Sequence, residues 1–124
     1  MSVIDGAVAA VRDHFDGLPV EVIPDGTGGV YVIVSDVYVG DPYTPSTTWL
    51  GFQINSAYPH SDVYPHYIGP VARVDGAGHG PAVQSVSWRD RPALQLSRRS
   101  NRWNSQRDNA ALKAAKVLSW FGSQ

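Results

Sequence analysis

Ile4, Val8, Val11 and Phe15 recur at helical spacing, while Arg12, Asp13 and Asp16 fall off that stripe. The period predicts an amphipathic helix over residues 2–17. Ser2 is placed to cap it, Asp5 suits its first turn, and Gly17 with Pro19 stops it. From Val20 the period changes. Residues 20–23 are β-branched, residues 24–29 are dense turn chemistry, and residues 30–39 carry the strongest strand signal in the chain. In residues 49–54, Leu50, Phe52 and Ile54 alternate on one face of a further strand. These segments predict an antiparallel meander of about four strands.

Residues 55–92 hold Pro59, Pro65, Pro70, Pro81 and Pro92 with four glycines between them. They read as a long irregular stretch with short extended pieces at 67–68 and 83–88. Residues 93–96 are apolar, and residues 97–106 are polar and basic around Trp103. Asp108 is placed to cap a last helix running to about Phe121. Its expected apolar face is Ala111, Leu112, Ala115, Leu118 and Phe121, with Lys113 and Lys116 on the wet side. Strands run together with helices at the ends, which defines an α+β class.

The chain has 124 residues and reads as a single domain over 1–124. It has no cysteine, which excludes a disulfide scaffold, a cysteine zinc site, an iron–sulfur centre and a thiol nucleophile. No signal peptide and no spanning apolar run are visible, so a cytoplasmic location with no membrane contact is expected. The net charge of −1 hides a polarity. Through position 72 eight acids face one base, and beyond it nine bases face three acids. Such chains either present charged surfaces or neutralise the two halves in the fold.

Three segments carry a resemblance. Residues 52–54 are followed by Tyr58-Pro59 and by Tyr64-Pro65-His66-Tyr67-Ile68. Residues 93–97 read Ala-Leu-Gln-Leu-Ser, and Trp103 lies eight residues after Gln95. In this order they resemble the ubiquitin-conjugating-enzyme (UBC/RWD-like) superfamily, with its third strand, its Tyr-Pro…Pro segment, its catalytic-cysteine stretch and its tryptophan eight residues later. The resemblance implies a truncated UBC-like fold spanning essentially the whole chain. It places the family's cysteine at Gln95. The family's His-Pro-Asn signature is absent, and His79 before Gly80-Pro81 is its nearest echo. The chain is therefore similar to divergent bacterial members that accompany ubiquitin-like modifiers and activating enzymes, and to cysteine-less variants that act as binding partners. The expected partners are a ubiquitin-like protein, its activating enzyme or an active conjugating enzyme, with no cofactor. The segment from Gln95 to Trp103 would be a vestigial active-site rim.

Acyl transfer needs a nucleophile and an oxyanion donor. A carboxamide such as Gln95 is no nucleophile, so surviving chemistry would fall to Ser97 or Ser100 through an oxyester. Arg98 and Arg99 would stabilise negative charge there, with Asn101 or Asn104 as donor. A histidine base, His79 among the four, is not placed by sequence. The alternative is that both serines are ordinary loop hydroxyls. Arg98, Arg99 and Arg102 around Trp103 also fit a peptide- or nucleic-acid-binding loop. The acidic overall balance and the lack of an RNA-binding signature argue against nucleic acid. His60 and His66 would need Asp62 or His79 to complete a metal site, and no metal is expected. Tyr58, Tyr64 and Tyr67 either form an exposed patch for a partner or pack the coil onto the sheet.

Overall fold

The structure, a computed structural model, describes residues 3–100 and 102–124. Ser2, the expected cap, and Asn101, a candidate oxyanion donor, lie outside the described residues. In chain order the elements are α1 (Val3–His14), β1 (Val20–Pro24), β2 (Val30–Tyr38), β3 (Tyr43–Thr44), β4 (Thr47–Ile54), β5 (His66–Ile68), β6 (Ala72–Arg73), β7 (Val83–Trp88), β8 (Arg91–Leu96) and α2 (Ala110–Gly122). Two helices flank an antiparallel sheet, the α+β class that the pattern predicts.

Six strands form the main sheet in the order β1-β2-β4-β5-β8-β7, and β3 pairs with β6 in a small ribbon. The four-strand meander is β1-β2-β4-β5. The β7–β8 hairpin extends it, so residues 55–92 are less irregular than their prolines suggest. That hairpin closes through Arg89 and Asp90, both with left-handed φ, 50° and 64°. Two-residue hairpin turns of this kind are signalled by Asn-Gly or Asp-Gly, not by Arg-Asp. Pro92 is tolerated in β8 because β5 pairs only with residues 94–96, leaving Pro92 beyond its end.

Alternation sets the two faces. Val32, Val34, Leu50, Phe52, Ile54, Ile68, Leu94 and Leu96 face inward and pack with Ala7, Val11 and Phe15 of α1 and Ala114, Val117 and Phe121 of α2. The α2 stripe differs from the expected one. Leu112 is 46 % exposed, whereas Lys113 is 4 % exposed and points into the protein. Hydropathy cannot register an inward lysine whose counter-charge comes from a distant segment. The cap also shifts by one. Asn109 accepts the Leu112 amide at 2.9 Å, and the Asp108 carboxylate accepts the Asn104 amide at 2.7 Å instead.

The outer sheet face carries aromatic rings. Trp88 stacks on Tyr67 at 4.7 Å and on Trp49 at 5.8 Å. Arg89 lies over Tyr31 and Arg91 over Trp49, so the hairpin tip covers the middle strands. Gly51 leaves the space that the Trp88 ring occupies, and a Cβ there would overlap it. Gly51→Ala is expected to lower stability by about 1–3 kcal/mol through overpacking. Gly6→Ala, at the fourth residue of α1 with open space around it, is expected to raise stability by about 0.5–1 kcal/mol. Urea denaturation of the two variants checks both signs.

Candidate functional site

β8 ends at Leu96, and the chain crosses residues 97–109 before α2 begins. This loop has little regular structure of its own and is held by side chains. The Trp103 indole donates to the Pro59 carbonyl at 2.7 Å and its ring leans on Tyr58. The Tyr58 hydroxyl accepts the Ala110 amide at 3.1 Å, supplying one of the orphan donors at the start of α2. Asp62 takes the Ser100 amide at 2.8 Å on one oxygen and the Ser100 hydroxyl at 3.2 Å on the other.

Lys113 completes the knot from below. Its ammonium donates to both Asp62 oxygens, at 3.0 and 2.9 Å, and to the Ser100 hydroxyl oxygen at 2.8 Å. Three donor bonds use all that a lysine ammonium has. A buried charge is tolerated when it is paired and hydrogen-bonded in this way. The Ser100 hydroxyl meanwhile gives its proton to a carboxylate and receives one from a cation. Lys113 therefore offers Ser100 no lone pair as a base.

Above the knot lies an open basin of about 680 Å³, lined by Arg98, Arg99, Ser100, Arg102, Arg107, Asp108, Leu112, Lys113, Lys116, Val117 and Trp120. Six of the chain's ten lysines and arginines meet here. Arg98 lies 5.7 Å over the Trp120 ring and Arg99 4.3 Å over Tyr64. Asp108 is the one acid of the lining. The Asn104 amide, and after it Lys116 at 3.4 Å, holds its carboxyl below the usual range. Asp62–Lys113 joins the acidic and basic halves of the chain, whereas Arg73–Asp75 and Lys116–Asp108 both lie within the basic half.

His66 sits under this region on the inner sheet face, fully buried beside Phe52 at 5.1 Å, and among the described residues neither ring nitrogen has a partner. Burial, and then the nearby Lys113 charge, push its pKa down to about 3.

The proposed sites separate in space. Arg98, Arg99, Ser100 and Arg102 come together in the basin, and Trp103, Pro59 and Tyr58 anchor its loop. Gln95 lies inside β8, paired with Tyr67 and Gln84, and so faces outward with Tyr67 while its neighbours Leu94 and Leu96 are in the core. Its amide donates to the Ser97 hydroxyl at 3.2 Å. Ser97 is the first loop residue, and its amide is bonded to the Ala82 carbonyl. The tyrosines form no single patch. Tyr58 is in the core, Tyr64 meets Arg99, and Tyr67 is part of the outer stack. Pro65 is half-buried beside His66 in the sequence. Tyr43 stacks directly on Phe121 at 4.1 Å, and His79 lies beside that pair and bonds the Val71 carbonyl. Among the described residues no three histidines, cysteines or carboxylates gather as a metal site, and no helix is long and apolar enough to cross a membrane.

Lys113, Arg107, Lys116 and Trp120 are the site residues that sequence reading missed, and Asp62 was named there only as a possible metal ligand. Lys113 had one signal: it lies four and eight residues before Val117 and Phe121, which is one helical stripe. No protein-family model, no curated protein and no solved structure matches the chain.

Asp62→Asn strands the Lys113 charge and is expected to cost about 3–5 kcal/mol, while adding Lys113→Met recovers most of that loss. Denaturant titrations of the single and double variants measure it. His66 gives a pH dependence of known sign. Its folded value lies below the unfolded one of 6.5, so the unfolded chain binds the extra proton. Its contribution is complete above about pH 6.5 and is lost as pH falls, at about 1.4 kcal/mol per unit until about pH 3. Stability measured between about pH 6.5 and pH 4.5 is expected to fall with this slope, and His66→Phe to flatten it.

Proposed function

We propose that this protein is a non-catalytic binding domain that docks an acidic protein partner on its basic basin. The single observation that carries this is the gathering of six of ten cations around one concavity in a chain of net charge −1. Guanidinium groups suit carboxylates, and a basic surface steers an acidic one. The state of Ser100 supports a binding role: Lys113 spends its three donor bonds on Asp62 and Ser100, so the serine lacks a lysine base.

The partner class comes from the sequence resemblance to cysteine-less relatives of ubiquitin-conjugating enzymes. It is a ubiquitin-like modifier, its activating enzyme or an active conjugating enzyme, in a bacterial cytoplasm. The segment that supplies the basin begins just after Gln95, where the family carries its cysteine.

A second reading has one observation behind it. The Ser100 hydroxyl donates to Asp62 at 3.2 Å amid several arginines. Asp62 would take the Ser100 proton as the hydroxyl attacks a thioester carbonyl; the C–O bond of an oxyester forms, the C–S bond breaks, and the leaving thiolate takes up that proton.

One experiment separates them. The protein is incubated with an activating enzyme, ATP and a ubiquitin-like protein, then resolved on a non-reducing gel and titrated by calorimetry. The binding reading expects no adduct and a saturable isotherm. Arg102→Ala with Arg107→Ala is expected to weaken that isotherm about tenfold and to flatten its salt dependence. A hydroxylamine-labile adduct that disappears in Ser100→Ala supports the oxyester. Absence of both adduct and isotherm contradicts the conjugation context.

A further inference from the structure

The basin differs from a flat docking surface in depth, charge density and one apolar wall. Its volume of about 680 Å³ lies within the range of about 300–1,000 Å³ typical of small-molecule sites. Lys113 is neutralised by Asp62, and Asp108 is engaged by Asn104 and Lys116. Among the described residues that leaves Arg98, Arg99, Arg102 and Arg107 facing the space without an ion-pair partner, with Lys116 shared with Asp108 at 3.4 Å. Among the described residues Arg102 and Arg107 make no side-chain hydrogen bond, so their donor forks are free for a ligand. Four unpaired arginines around so small a volume match several negative charges on neighbouring atoms. A chain of phosphates concentrates charge in this way, whereas peptide carboxylates spread it.

The opposite wall is apolar. Trp120, Leu112 and Val117 line it, and the Arg98 guanidinium already lies 5.7 Å over the Trp120 ring. One face of that indole is thus reached by a flat cationic group. A nucleobase has the same flat shape and stacks well on an aromatic ring. Arg98 would then exchange its indole contact for a phosphate. Guanidinium groups bind phosphate oxygens bidentately. The floor beneath is rigid, because the Asp62–Lys113–Ser100 knot fixes the loop that carries Arg98 and Arg99.

We infer that the basin binds a nucleoside polyphosphate, its phosphates held by Arg98, Arg102, Arg107 and Lys116 and its base stacked on Trp120. This goes beyond protein docking and uses the same basin, so nucleotide and acidic partner would exclude each other.

The test is calorimetric titration of the intact protein alone with ATP, inorganic triphosphate and adenosine, without any protein partner. ATP is expected to bind saturably, triphosphate more weakly and adenosine not at all. Trp120→Leu keeps an apolar side chain and removes the ring. It is expected to weaken ATP about tenfold and leave triphosphate unchanged. Arg102→Ala with Arg107→Ala, at exposed positions, is expected to abolish both. Three results would overturn the inference: no saturable ATP binding, equal affinity for ATP and triphosphate with Trp120→Leu silent, or ATP binding indifferent to the arginine variant. Because no partner is present, failure here leaves the docking proposal standing, and failure of docking leaves this one standing.

Discussion

An ammonium on the core-facing side of α2 has to be answered where it stands, and Asp62 answers it. Lys113 meets both oxygens of that carboxylate and the hydroxyl of Ser100. The three residues come from three segments: the coil before β5, the loop after β8, and α2. Removing any one partner leaves a charge or a donor stranded in a low-dielectric setting. A paired buried ion adds little net stability, but a broken one costs heavily. The knot thus acts less as a source of stability than as a rule about which loop geometry is allowed.

The basin follows from that rule. Residues 97–109 have few ladder bonds to hold them, yet they must carry Arg98, Arg99, Arg102 and Arg107 to one place. Ser100 tied to Asp62 fixes the first part, Trp103 tied to Pro59 the middle, and Asn104 tied to Asp108 the end. α2 then contributes Lys116 and Trp120 from its own surface. Guanidinium groups presented by a braced loop lose less freedom on binding than those on a slack one. His66 beneath the knot adds a second buried polar group, kept neutral first by its burial and then by the nearby Lys113 charge.

Several elements were legible because a local period or a local turn specified them. α1, β2 and β4 show their inward faces in the order of their apolar residues. The β1–β2 turn is signalled by its glycines. There the Thr27 amide and then Gln53 hold the Asp25 carboxyl down to about 2. The β7–β8 hairpin was hidden by Arg89 and Asp90, which occupy left-handed positions usually taken by glycine or asparagine. The inward face of α2 was misassigned because Lys113 is polar in sequence and buried in space. Of the site, the arginines beside Trp103 were visible as a basic run. Arg107, Lys116 and Trp120 join them only once α2 is laid under the loop. Gln95 was read as part of that rim, but strand alternation turns it to the other face of the sheet.

Amide hydrogen exchange at Ser100 tests the central claim most directly. Ser100 donates its amide to Asp62, while among the described residues no backbone ladder protects Arg98 and Arg99 beside it. The account predicts slow exchange at Ser100 next to fast exchange at Arg98 and Arg99, and loss of that protection in Lys113→Met with the sheet amides still protected. Exchange at Ser100 as fast as at its neighbours, or protection that survives the loss of Lys113 in a folded protein, would contradict it.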